Sequence, residues 1–114
     1  MMRYKASELQ KLVCQKFGTD FYGCDLGLKV GVSKNVRNGF LPIHGMRIEP
    51  HGDTCGWYIW AGDYSDDPDF FVPLHGLHLV EWAPVVLPYL GLPPKWRFLT
   101  DGKYEDVWMD SELK

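Results

Sequence analysis

Residues 56–62 read GWYIWAG, the most strongly strand-forming stretch of the 114-residue sequence. Its aromatic and β-branched side chains favour extended backbone. In a strand, Trp57, Ile59 and Ala61 point to one face of a sheet, while Tyr58 and Trp60 point to the other. Because both faces are apolar, we expect this strand to be central in its sheet and covered on both sides or nearly so.

Further strand patterns lie on both sides of this stretch. Residues 26–34 alternate apolar and other residues with a period of two, which predicts a strand, and residues 45–50 predict a second short strand. After the central stretch, residues 96–100 and 104–110 predict two more strands. Asp101-Gly102 between them is a strong hairpin signal. No repeat or regular alternation of strands and helices appears, so we predict an α+β fold with a mainly antiparallel sheet of about four to five strands.

Three segments predict helices that pack on this sheet. In the first, Ser7 and Gln10 have the spacing of a capping box, and Gly18 is a stop signal. Its predicted core-facing residues, at helical spacing, are Leu9, Leu12, Val13 and Phe17. A second, short helix is predicted over residues 74–82, and Pro84 and Pro88 leave one further helical turn in residues 84–90.

Charge is unevenly distributed along the chain. Residues 1–48 hold eight Lys or Arg and three Asp or Glu, whereas residues 49–114 hold four and twelve. The acidic half repels phosphates and argues against general nucleic-acid binding through that half, but it suits a basic protein partner. The sequence shows neither a signal-peptide pattern nor an apolar run long enough to span a membrane, so we expect a cytoplasmic protein.

The number and spacing of the cysteines argue against a disulfide framework and against a zinc site. Cys14, Cys24 and Cys55 are odd in number and contain no C-x-x-C pair. We therefore expect reduced, largely buried thiols rather than a disulfide framework or a zinc site.

Residues 62–71, GDYSDDPDFF, place four aspartates within seven positions. Their spacing does not match a calcium-binding loop, which needs alternating oxygen ligands, a glycine turn and a distal glutamate. Two interpretations remain, and they are compatible with each other. The aspartates cap the helix that begins near Leu74, or they form an acidic docking patch for a partner.

Two histidines raise the alternative of metal chemistry. His75 and His78 are three residues apart on the predicted helix, where both side chains could face one way. A third ligand would have to come from His44, His51 or Cys55. The other interpretation is an amphipathic helix whose histidines have no ligand. No catalytic triad or phosphate-binding glycine loop is present, so we expect no catalytic residues, no bound metal and no cofactor.

The order of motifs resembles a known bacterial family. It comprises the aromatic strand, the Asp-Asp-Pro-Asp turn, the histidine segment, Leu-Pro-Tyr-Leu, Pro-Pro, Trp-Arg-Phe and the closing strand YEDVWMD, together with VSKNV at residues 32–36. This arrangement resembles the immunity proteins of polymorphic toxin systems over roughly residues 26–110. The resemblance implies residues 1–25 as an N-terminal helical extension and residues 26–114 as the immunity-protein-like domain, within one globular unit.

The resemblance implies a non-catalytic protein that binds and neutralises a cognate toxin, and the acidic half suggests a toxin with a basic surface. The expected partner-binding residues are Asp63, Tyr64, Asp66, Asp67 and Asp69, with Trp108 as a second candidate anchor. Two alternatives stay open at this point. One is a metal-dependent enzyme that uses His75, His78 and the carboxylates of Asp63 to Asp69, and the other is an adaptor domain with no toxin partner.

Overall fold

The computed structural model describes residues 6–113. Within that range six strands form one mixed sheet in the order β4-β1-β3-β2-β5-β6. They are β1 (Lys29–Ser33), β2 (Ile43–Arg47), β3 (Thr54–Ala61), β4 (Phe71–His75), β5 (Trp96–Thr100) and β6 (Glu105–Met109). Only β1 and β3 pair in parallel. The predicted α+β class and mainly antiparallel sheet are confirmed, with six strands instead of the expected four to five.

The helical elements of residues 6–113 are short. They are α1 (Ala6–Lys16), α2 (Lys34–Arg37), α3 (Leu79–Trp82) and two 3₁₀ segments, Gly76–His78 and Pro84–Tyr89. Pro84 and Pro88 lack the backbone N–H groups that a longer α-helix would need as donors. The segment Pro84–Tyr89 therefore forms tight 3₁₀ turns. No helix in this part of the chain is both long and apolar enough to cross a membrane.

Strand β3 is central, as the sequence predicts, because it pairs with β1 on one side and β2 on the other. Trp57, Ile59 and Ala61 are buried on one face of the sheet, which we call the core face. The buried residues of the helical elements join this face, among them Val36, Leu79, Val86 and Leu87. The predicted β5–β6 hairpin also forms, with β5 at the predicted residues and the turn at Asp101-Gly102.

In helix α1 the structure contradicts two of the four predicted core-facing residues, Leu9 and Leu12, whereas Val13 and Phe17 are partly buried and pack against the core. It already includes Ser7, so Ser7 does not precede it as a cap, although Gly18 has the positive φ of a helix stop. Leu12 is 59% exposed and Leu9 is also exposed, whereas Gln10 is 5% exposed. The Gln10 amide donates to the Leu87 carbonyl at 2.9 Å, and the Cys14 thiol contacts the Gly91 carbonyl. Polar groups therefore turn inward because the 84–91 segment offers buried carbonyls that need donors.

The helix predicted over residues 74–82 is also wrong in its first half. Phe71–His75 form β4, which pairs with β1, and α-helix begins only at Leu79. Pro73 is tolerated because β4 is the edge of the sheet, where a missing N–H can face away from the ladder. Strand boundaries differ elsewhere too: β1 is shorter than the predicted 26–34, and β2 begins at Ile43 instead of residue 45.

Arg47, the last residue of β2, is buried at the edge of the core and bonds to several parts of the chain. Its side chain is 1% exposed, and its guanidinium donates five hydrogen bonds of 2.9–3.3 Å to backbone carbonyls. The acceptors are Tyr22, Gly23, Cys55, Leu90 and Leu92. Arg47 therefore joins the loop before β1, strand β3 and the chain after the 3₁₀ segment. Burial lowers the pKa of Arg47, a cost offset by this full set of acceptors.

Candidate protein-binding surface

The face of the sheet opposite the core face, which we call the open face, carries the alternate residues of each strand. Tyr58 and Trp60 on β3 point to it, directly opposite Met46 and His44 on β2. Arg97 on β5 and Trp108 on β6 face each other farther along the same face. Antiparallel sheets commonly expose polar residues on such a face. Aromatic residues here need a separate explanation.

Six ring-bearing residues make one continuous patch on this face, which we call the aromatic surface: His44, Tyr58, Trp60, Tyr64, Phe70 and Phe71. Trp60 packs edge-on against Tyr64 at 5.3 Å between ring centroids, and Phe71 packs edge-on against Tyr58 at 5.1 Å. Trp60 itself is buried, but Tyr64 is 55% exposed. An aromatic patch that is ordered and still reaches solvent is typical of protein interfaces.

His44 is the polar member of this surface. Partial burial lowers its pKa, and the nearby Arg97 cation lowers it further, while Asp63 acts in the opposite direction. The depressed pKa favours a neutral imidazole, which can stack on Trp60 without desolvating a charge.

Residues 62–70, which we call the aspartate loop, form a self-bonded turn beside the aromatic surface. The Asp67 carboxylate accepts a hydrogen bond from the Asp69 N–H at 2.8 Å, and the Ser65 hydroxyl accepts one from the Asp67 N–H at 3.1 Å. The loop leads directly into β4. The predicted cap of a helix near Leu74 is therefore wrong, because the chain after the loop is extended, and Asp67 instead stabilises the turn locally.

All four aspartate side chains of this loop lie at the surface. The ion pairs within residues 6–113 are Lys16–Glu105, Lys29–Asp53 and Arg97–Asp110, so the loop carboxylates contribute to none of them. Asp69 and Lys34 share only a shallow depression. The aspartate loop therefore presents carboxylates outside these ion pairs at one border of the aromatic surface.

A second partly exposed aromatic residue, Trp108, lies across the open face. The Arg97 guanidinium stacks over the Trp108 ring at 5.8 Å and donates to the Asp110 carboxylate at 3.0 Å. This contact lowers the pKa of Asp110 and holds Arg97 against the indole. Trp108 is partly exposed, so it is available to a partner on the face that carries the aromatic surface.

The two histidines proposed as metal ligands do not share a helix. His75 is the last residue of β4 and His78 ends the following 3₁₀ segment, and both are exposed. In the range 6–113, no three His, Cys, Asp or Glu side chains are grouped closely enough to hold a metal ion.

The structure brings Tyr64 and Asp63 of the predicted site next to residues that the sequence analysis did not select. The sequence predicts His44 only as a possible third metal ligand and predicts no role for Phe70 or Phe71. The missed signal is the alternation in IHGMR, where Ile43, Gly45 and Arg47 are buried and His44 and Met46 are not. A strand that begins at residue 45 excludes His44, whereas the observed β2 includes it.

The sequence profile of the Imm33-like domain family matches residues 9–110. The chain belongs to this family. The match covers every strand and most of α1, including the buried Gln10. Imm33-like domains are immunity-protein domains, which agrees with the resemblance noted from the motifs. Comparisons of this Imm33-like domain with curated proteins and with solved structures gave no match.

Proposed function

We propose that this Imm33-like domain is a non-catalytic immunity protein that binds and neutralises a protein toxin in the cytosol. The observation that carries the proposal is the aromatic surface bordered by the aspartate loop. Aromatic side chains supply most of the binding energy in many interfaces, and membership of the family supports a toxin as the partner.

The negative charge of the aspartate loop favours a toxin with a basic surface. Four exposed aspartates would attract Lys or Arg side chains during diffusion and accelerate association. Tyr64, exposed and packed edge-on against Trp60, is the candidate anchor nearest to these charges. Asp63, Asp66, Asp67 and Asp69 then act at the rim, where charge affects the on-rate more than the off-rate.

The proposal is tested with the product of the adjacent gene as candidate toxin. Tyr64→Ala should raise the Kd at least about tenfold, as truncation of an aromatic anchor does. The pair Asp63→Asn and Asp66→Asn should slow association, with less effect at high salt because exposed charges are screened over about 10 Å at 0.1 M.

Matched controls lie on the other side of the sheet. Leu12→Ala removes an equally exposed apolar side chain from α1, and the pair Glu8→Gln and Asp20→Asn removes two exposed charges. These changes should leave Kd and on-rate at wild-type values, and cells that express them should survive the toxin. If Tyr64→Ala and the double Asn variant bind as the wild type does, the interface is not at this surface.

A further inference from the structure

The open face contains a cavity of about 320 Å³ between β1, β3 and β4. Gly31 on β1 lines this cavity, and because Gly31 has no side chain, the ring of Tyr58 lies across the position that a Cβ would occupy. A Cβ on Gly31 would lie 2.7 Å from that ring. A glycine in a strand often marks a place where a ligand or another chain approaches closely.

A bulge in β3 lies beside the same cavity. Lys29 pairs with Thr54 and Gly31 pairs with Tyr58, so two steps along β1 match four along β3. Gly56 lies within this irregular stretch with φ +92°, and a Cβ there would approach the Ile48 carbonyl oxygen to 2.2 Å. Only glycine fits this conformation and this space. Bulges of this kind are frequent beside functional sites, where they redirect side chains.

The walls and mouth indicate what the cavity would bind. Tyr58 and Phe71 provide two aromatic walls that are already edge-on to each other. At the mouth, the Lys29 ammonium pairs with the Asp53 carboxylate at 3.1 Å, and the Lys29 N–H donates to the Asp53 carbonyl at 2.9 Å. Because these two charges neutralise each other, the mouth favours an uncharged occupant. Aromatic walls favour a ring in an offset or edge-on arrangement.

We propose that this cavity receives an uncharged aromatic side chain, Tyr or Trp, of the toxin. The inference rests on the proposed function and extends it, because Tyr58 and Phe71 belong both to the cavity and to the aromatic surface. In this proposal the interface has two parts that differ in charge. The aspartate loop meets basic residues of the toxin, and the neutral cavity holds the ring that anchors it.

The first test needs no toxin. Wild-type protein is titrated with 4-methylphenol and with indole, the side-chain analogues of Tyr and Trp, while NMR follows the amides of Gly31 and Gly56. Both probes should shift these amides in a saturable manner, and propylguanidinium, the Arg analogue, should not. Tyr58→Ala removes a wall, and Gly31→Ala displaces the Tyr58 ring from its position in that wall, because the added Cβ would lie 2.7 Å from the ring. Both variants should lose the shifts, whereas Tyr104→Ala, a tyrosine outside the cavity, should keep them.

The second test measures toxin affinity with the same variants, after urea denaturation has established that they are folded. Tyr58→Ala and Gly31→Ala should each raise the Kd at least about tenfold. Probe binding without any change in toxin affinity would make the cavity a small-molecule site and overturn the proposal, as would the absence of probe shifts in the wild type. If the toxin fails to bind the wild type while the probes still bind, the proposed function fails and the toxin is excluded as occupant.

Discussion

His44 and Trp60 lie directly opposite each other on antiparallel β2 and β3, and their rings stack with centroids 5.1 Å apart and planes within 8°. Asp63, in the loop that follows β3, exerts an opposing charge effect on the same imidazole. The pKa of His44 therefore depends both on its burial in the aromatic surface and on the charge of Asp63 in the aspartate loop.

We expect NMR titration to give His44 a pKa below its ordinary value of 6.5, because burial disfavours the imidazolium and Arg97 repels it. Asp63→Asn should lower this pKa further, since Asp63 favours the charged form. Asp66→Asn, in the same loop, is the control and should leave it unchanged. A higher His44 pKa in the Asp63→Asn variant would contradict this electrostatic assignment.

The same shift predicts a pH dependence of stability. Because the folded pKa of His44 is lower than the unfolded value, its neutral form favours folding above pH 6.5. That contribution is lost as the pH falls from 6.5 through the folded pKa. Urea denaturation at a series of pH values should therefore show a smaller loss of stability across this window in His44→Gln than in the wild type. Equal slopes in the two proteins would exclude His44 as the cause.

Arg47→Met should destabilise the domain by about 3 kcal/mol or more, because it removes the guanidinium donor from the buried carbonyls of Cys55 and Leu92. Arg97→Met is the control, since its ion pair with Asp110 is partly solvated and such pairs contribute about 1 kcal/mol or less. Urea denaturation measures both. A comparable loss in the two variants would show that the buried carbonyls find water or another donor.

On α1, Gln10→Ala should cost about 1–2 kcal/mol, because the Leu87 carbonyl loses its donor in a buried position. Leu12→Ala should change stability by less than about 0.5 kcal/mol, since its side chain is exposed. Thermal and urea denaturation give the comparison. The reverse order would indicate that the leucine face of α1 packs on the domain.

Gly45→Ala should destabilise by roughly 1–3 kcal/mol, the usual cost of overpacking a core. A Cβ at Gly45 would lie 2.1 Å from the Phe98 ring, and Phe98 is fully buried against Tyr89 and Trp57. Gly23→Ala adds the same methyl group where the nearest atoms are 3.9 Å away, so it is the matched control. A neutral Gly45→Ala would mean that the Phe98 ring can move aside.

Local sequence patterns predicted a substantial part of the fold. The alternation in GWYIWAG predicted the central strand β3, Asp101-Gly102 predicted the last hairpin, and the two prolines predicted a single helical turn after Pro84. Each of these features depends on backbone preferences that are set by residues adjacent in the sequence. The aspartate loop was likewise recognisable, because its turn is closed by its own side chains.

Other features depend on which surfaces meet in three dimensions. Gln10 is buried on α1 because the Leu87 carbonyl lies opposite it, although spacing alone favoured the leucines. Residues 71–75 are a strand because β1 offers them a partner, and their own sequence did not predict one. His44 joins Trp60 and Tyr64 only because β2 pairs with β3 in one register and the loop folds back over the open face. Short-range preferences of the chain fix the local elements. Contacts in the folded domain set burial and the composition of the surface, because hydrogen-bond partners and neighbouring faces come from distant parts of the chain.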